Sequence, residues 1–198
     1  MTAIGTDSGK TVVSAILVEA LRADYWKPIQ SGYPRDTETV QSLVSNNVSE
    51  FWPETYLLNT PASPHASARI DGVEIQLSAF MRPSSDRSLI IEGAGGLMVP
   101  INDQNYVIDL AANLECEIIL VSNLYLGSIN HTLLSIEYLK SRKLPVKGII
   151  FNGPANEESQ RIITSKCDWP VLFYLEQEAV IDSKVVEKYA EQLRKSWL

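Results

Sequence analysis

Cysteine is scarce in this chain of 198 residues: Cys116 and Cys167 stand far apart, with no CxxC pair between them. Histidine is equally scarce, and neither His65 nor His131 has a cysteine, aspartate or second histidine at metal-ligand spacing. These gaps argue against a disulfide framework and against a zinc centre, and they fit a reduced cytoplasm. Both histidines read as caps or packed rings. Positive charge is short as well, with 17 Lys and Arg against 24 Asp and Glu, a formal net charge of −7. That balance disfavours a general nucleic-acid binder and a protein held on anionic membranes, leaving room for a local basic pocket. Long apolar runs are missing: the stretch after Lys10 is broken by Ser14 and Glu19 and is too short to span a bilayer. No serine elbow or histidine-paired nucleophile suggests acyl-enzyme chemistry, and no repeat, low-complexity tract or linker divides the chain. With 45% apolar and 21% charged residues, a single globular domain over residues 1–198 is expected.

The most informative stretch is GTDSGKT, made of Gly5, Thr6, Asp7, Ser8, Gly9, Lys10 and Thr11. It runs straight into apolar residues at helical spacing, and a glycine-punctuated loop opening a helix is an anion site. Unpaired backbone N–H groups and the positive end of the helix dipole converge there, and a lysine adds a mobile charge. The Thr11 hydroxyl is placed for Mg²⁺. Only Thr6, Asp7 and Ser8 separate Gly5 from Gly9, where the usual loop has four intervening residues. A bare Gly-Lys-Thr arises often by chance, and the helix behind it is what favours a nucleotide loop.

Apolar runs and helical periods alternate along the rest of the chain. Strands are expected at 24–27, 56–58, 88–91, 117–122, 146–152 and 171–174, and helices at 37–44, 65–70, 75–81, 107–114, 129–142, 157–166 and 183–197. The stretch 29–32 reads as a loop. Continuous apolar strands between helices predict an α/β fold: a mostly parallel, doubly wound sheet with helices on both faces, of P-loop NTPase type. In such sheets ligands bind at the carboxyl ends of the strands, and Lys27, Glu92, Ser122, Asn123 and Asn152 each end an apolar run.

Glu92 ends the strand Leu89-Ile90-Ile91, and an acid at the tip of a buried strand near a phosphate loop suits a metal. Gly93, Ala94, Gly95 and Gly96 follow it, exposing backbone N–H groups. Lys27-Pro28-Ile29-Gln30-Ser31-Gly32 places a second lysine at a strand end with a hydroxyl four residues on, able to hold a phosphoryl group or a carboxylate. Asp36, in a loop just beyond, is unremarkable on its own.

Six segments, TAIGTDSGKTVVSAILVEAL, YWKPIQSG, NTPASPHASA, LIIEGAGGLMVPI, LYLGSINHTLLS and GIIFNG, resemble in this order the dethiobiotin synthetase family. The resemblance implies an ATP- and Mg²⁺-dependent carboxylation and ring closure. In it 7,8-diaminononanoate, CO₂ and ATP give dethiobiotin, ADP and phosphate through a carbamate and a carbamic-phosphoric anhydride. It implies that Lys10 binds the β- and γ-phosphates, that Thr11, Asp36 and Glu92 bind Mg²⁺, and that Lys27 holds the carbamate and the transferring phosphoryl group. By the same resemblance Ser31 lies close to the substrate, the Gly93-Ala94-Gly95 backbone faces the diamine, and Asn152 faces adenine. Asn130, with the Leu126-Gly127 turn, would reach the substrate carboxylate across a homodimer interface. The chain departs from the family at Ala3, usually glycine, and at Glu176, where proline is common.

A partitioning or division-site-type regulatory ATPase is the alternative, since its loop and sheet are similar. Such proteins generally carry an extra lysine early in the loop, and none lies between Met1 and Gly9. The strand feeding a phosphate loop is normally central and about five or six residues long. Only Met1, Thr2 and Ala3 precede the Ile4-Gly5 turn, so the expectation is either an apolar strand preceding this sequence or a stub with a poorly ordered loop.

Overall fold

Strands and helices alternate as the hydrophobic pattern requires in the computed structural model, which describes residues 1–197. The first half comprises β1 (Thr2–Ala3), α1 (Lys10–Leu21), β2 (Asp24–Trp26), β3 (Ile29–Ser31), α2 (Asp36–Leu43), β4 (Phe51–Trp52), β5 (Tyr56–Leu58) and α3 (Pro64–Asp71). The second comprises β6 (Leu89–Ile91), α4 (Val107–Asn113), β7 (Ile118–Asn123), α5 (Ser128–Ser141), β8 (Val146–Asn152), α6 (Glu157–Thr164), β9 (Val171–Leu175) and α7 (Ser183–Trp197). Among the described residues no helix is long and apolar enough to cross a membrane.

Every pairing between these strands is parallel. The central strands are buried on both sides because neighbouring residues point to opposite faces. Val121 and Ile150 join the core beneath α1 and α7. Their chain neighbours Leu120, Ile149 and Phe151 join the core beneath α5 and α6. The fold is thus the expected α/β arrangement, a parallel sheet wound on both faces. Helix α1 is buried almost all round, from Val13 to Ala20, which explains its weak amphipathic pattern.

The hydrogen-bonded ladder is divided, in the orders β1-β7-β8-β9, β4-β2-β6 and β3-β5. The break between the first two falls at β1, a stub of two residues paired with Leu120 and Val121. Towards β6 it offers only Met1, whose amino group donates to the Ile91 carbonyl at 2.6 Å and whose carbonyl accepts from the Gly93 N–H at 2.9 Å. A groove of about 460 Å³, lined by Met1, Leu89, Ile91, Cys116 and Ile119 among others, lies between β6 and β7.

Three segments differ from the sequence expectation. Residues 29–31 form β3, pairing with β5, because Ile29 and Leu58 are both buried there. Residues 51–52 form a short strand beside β2. The expected helix at 75–81 shrinks to a 3₁₀ turn, Leu77–Ala79. Its buried anchors Ile75 and Phe80 stand five residues apart, a spacing an α-helix would put on different faces.

Glu19, polar within a buried helix, has its own task. Its carboxylate accepts from the backbone N–H groups of Ser45 at 2.7 Å and Asn46 at 3.1 Å, tying the segment after α2 to α1. Burial would raise its pKa, but these donors hold it below the usual carboxylate range. Glu19→Ala is expected to destabilise the fold by roughly 1.5–3 kcal/mol, towards the lower end because Ser45 is exposed to water. A urea titration checks this, and nucleotide affinity should not change.

Candidate functional site

A cavity of about 740 Å³ opens where the chain leaves the carboxyl ends of β1, β2 and β6. The loop after β1 forms one wall. Asp7 and Gly9 both adopt left-handed backbone, with φ of 55° and 83°, the local geometry from which anion-binding nests are built. Gly9 is also the point of closest approach to β8: a Cβ there would lie 2.2 Å from Asn152 Nδ2. That nitrogen donates to the Ser8 carbonyl at 2.9 Å, so Asn152 braces the loop from the end of β8. The Gly5 carbonyl accepts from Ser8 Oγ at 3.0 Å and lies 3.4 Å from Lys10 Nζ.

At the start of α1, Thr11 Oγ1 lies 3.1 Å from Asp36 Oδ1 and 3.2 Å from Glu92 Oε1. Lys27 Nζ, just past β2, bridges the same two acids, donating to Glu92 Oε1 at 3.0 Å and to Asp36 Oδ2. Residues that lie 81 positions apart in the chain, Thr11 and Glu92, are brought together because α1 runs back over the sheet between β2 and β6. Asp36 is delivered by Gln30, whose Oε1 accepts from the Asp36 N–H at 3.1 Å and whose Nε2 donates to the Gly32 carbonyl at 3.1 Å. Beside it Arg35 is ion-paired with Glu54, which also accepts from Thr37 Oγ1 at 2.7 Å.

Charge is balanced within this cluster. Burial alone would pull Lys27 down, but the Glu92 and Asp36 carboxylates outweigh it and hold the ammonium above its ordinary pKa. Burial would likewise raise Glu92, and Lys27 with Ser14 keeps it below the usual range, so both stay ionised at neutral pH. Burial dominates at Lys10, and its pKa is lowered.

Other expected residues divide. Thr6, Asp7, Ser8, Gly9, Lys10, Thr11, Lys27, Ser31, Asp36, Glu92, Ala94 and Gly95 line the one cavity. Ser31 Oγ is buried beside it with no hydrogen-bond partner among the described residues. The Gly93 N–H is spent on the Met1 carbonyl and does not face the cavity. Asn130 is exposed on α5 and lines none of it. Near Asn152, Tyr174 stacks on Phe151 with ring centroids 5.7 Å apart, and the Glu176 N–H points to Tyr189 Oη at 3.3 Å.

A family model described as an AAA domain matches residues 1–185. An ATP-dependent dethiobiotin synthetase BioD of Cytophaga hutchinsonii is 53% identical over 199 residues, covering 100% of this chain and 97% of the relative. The chain belongs to the dethiobiotin synthetase family. A synthetase of the same name from Christiangramia forsetii is 51% identical over 98% of this chain and 95% of its own, and one from Brucella ovis is 50% identical over 80% and 77%. Among solved structures, the septum site-determining protein MinD complexed with Mg-ADP from Pyrococcus horikoshii superposes with a TM-score of 0.56, covering 98% of this chain and 95% of that one. At 14% identity that likeness concerns the fold alone.

The sequence reading of this synthetase-family site missed Ser14, Tyr25, Gln30 and Glu54. Ser14 Oγ and Tyr25 Oη both donate to Glu92 Oε2, at 2.6 and 3.0 Å. Burial, reinforced by the charge on Glu92, raises the Tyr25 phenol well above its ordinary pKa, so it stays a donor. A signal existed: Ser14 interrupts an apolar helix face one turn after Thr11, and Tyr25 shares a strand face with Lys27.

Proposed function

We propose that this chain forms dethiobiotin by ATP-dependent carboxylation and ring closure of 7,8-diaminononanoate with CO₂. The observation that carries the reading is the convergence of Lys10, Lys27, Thr11, Asp36 and Glu92 in one cavity beside a phosphate-type loop. Its donor set fits Mg²⁺. Two carboxylates and a hydroxyl meet within about a hydrogen-bond length, all hard oxygens, and among the described residues no group of three or more His, Cys, Asp or Glu gathers to hold a metal outright. Mg²⁺ commonly takes one or two carboxylates and completes its shell with water and phosphate oxygens. When bound, it neutralises phosphate charge.

In this reading the loop amides and Lys10 hold the β- and γ-phosphates. One amine of the diamine adds to CO₂ with loss of a proton, and a carbamate oxygen then attacks the γ-phosphorus while the bond to ADP breaks. Lys27 sits where that charge passes, and its ammonium stabilises the phosphoryl group in flight. The second amine attacks the carbamate carbon, phosphate leaves with the former CO₂ oxygen, and the ring closes. Ser31 supplies a hydroxyl to the substrate, and the Ala94 and Gly95 backbone lies against the diamine.

The test is ATP hydrolysis with each component omitted in turn. Phosphate release should require both the diamine and bicarbonate. Hydrolysis that proceeds equally without them would instead support a regulatory ATPase of the division-site type.

The same reading includes a homodimer. Leu126 is fully exposed at the entry to α5 next to exposed Tyr125, and exposed Met98 and Leu134 line a depression of about 420 Å³ with Ile4, Leu97 and Tyr138. A two-fold interface would bury this apolar patch and carry Asn130 to the partner's cavity. Sedimentation at micromolar concentration should give a dimer, and Leu126→Asp should shift it to monomer with loss of turnover. A fully active monomer would contradict the interface.

A further inference from the structure

We propose that Tyr25 is a positioning residue for Glu92, fixing that carboxylate so that only one of its oxygens is presented to the metal. The proposal rests on the Mg²⁺ reading of Thr11, Asp36 and Glu92. Its basis is a division of labour visible in the geometry. Glu92 Oε2 is taken by Ser14 at 2.6 Å and by Tyr25 at 3.0 Å. Glu92 Oε1 is the oxygen that meets Thr11 at 3.2 Å and Lys27 at 3.0 Å.

The four donors arrive as two pairs. Thr11 and Ser14 stand three apart on α1 and therefore on one helix face, while Tyr25 in β2 and Lys27 just past its end stand two apart and on one strand face. Each element gives one donor to each oxygen, so the plane of the carboxylate is held from both sides. Ser14 and Tyr25 do not line the cavity, which rules out direct contact with a ligand in it. Tyr25 is wholly buried and packs at a tilt against Phe51, 6.2 Å between ring centroids, so its hydroxyl is rigidly aimed. Without that donor Oε2 keeps only Ser14, and Glu92 is free to rotate or to turn both oxygens toward a cation.

Outer hydrogen-bond partners of metal ligands typically matter 10–100-fold in metal affinity. Tyr25→Phe, which keeps the ring and removes the hydroxyl, is expected to weaken Mn²⁺ binding to the ADP complex about tenfold or more. Electron paramagnetic resonance titration of free Mn²⁺ measures this without turnover. ADP affinity in the absence of metal should stay the same. Ser14→Ala should act in the same direction and serves as the second variant if Tyr25→Phe folds poorly. Glu92→Gln is the control for the underlying site: if it leaves Mn²⁺ affinity unchanged, the metal reading itself fails. If Glu92→Gln weakens Mn²⁺ but Tyr25→Phe and Ser14→Ala stay within twofold of the parent protein, the positioning role is overturned and the two hydroxyls serve packing alone.

Discussion

Lys27→Ala should reduce dethiobiotin formation by roughly 10²–10³-fold or more, the range seen when one preorganised donor to a developing charge is removed. ATP affinity should fall only a few fold, because Lys27 is aimed at the acids and the reaction centre whereas Lys10 belongs to the phosphate loop. The structure adds a second consequence. Lys27 is the cation bridging Glu92, which is 1% exposed, and Asp36. Removing one partner of a buried pair typically costs about 3–5 kcal/mol, and part of this is relieved here because the Asp36 side chain is 28% exposed. The variant should therefore melt earlier, and Mg²⁺ should restore part of the loss by supplying a cation between the same carboxylates. Lys10→Ala, in contrast, should lose nucleotide affinity and turnover together. Equal loss of ATP affinity in the two variants, measured by calorimetry, would contradict this assignment.

Gly9→Ala should weaken ATP binding by roughly 10–300-fold. Two costs combine. The backbone at φ 83° is left-handed, which a side chain resists by about 1–2 kcal/mol. The new Cβ would meet Asn152 Nδ2 at 2.2 Å, so Asn152 must withdraw and its bond to the Ser8 carbonyl is lost, a further 0.5–1.5 kcal/mol or so. Each 1.4 kcal/mol is about tenfold in affinity if the loop must regain this shape to bind. Gly5→Ala is the matched comparison: nothing lies within 4 Å of a Cβ there, and its melting temperature should match the parent. Equal behaviour of the two variants would show that the loop is not braced by β8.

Much of the site could be read from residue order, because its members end apolar runs and a parallel sheet gathers strand ends at one edge. Lys27 and Glu92 follow from that rule, and Lys10 and Thr11 from the glycine-punctuated loop that opens a helix. Asp36 does not: a lone acid beyond a turn has no local signature, and only the family resemblance singled it out. Its partners explain why, since Gln30 and the Arg35–Glu54 pair place it through contacts with no periodic pattern. Tyr25 was hidden for another reason, as an aromatic in a short strand reads as core and only its hydroxyl reveals the task. Two- and three-residue strands such as β3 and β4 carry too few alternating positions to announce themselves. The long strands β7 and β8 and the helices packed on them matched the hydrophobic pattern because burial on both faces leaves a continuous apolar run.

The most direct test is to follow oxygen. The reaction is run with [¹⁸O]CO₂ in unlabelled water, with unlabelled ATP, the diamine and Mg²⁺, and quenched before CO₂ exchanges its oxygens with water, and the released phosphate is analysed by mass spectrometry. Transfer of the γ-phosphoryl group to a carbamate oxygen predicts one ¹⁸O per phosphate, formed in step with dethiobiotin and absent when the diamine is omitted. Phosphate released without ¹⁸O, in amounts that do not depend on the diamine, would mean that water attacks ATP directly and would contradict the account.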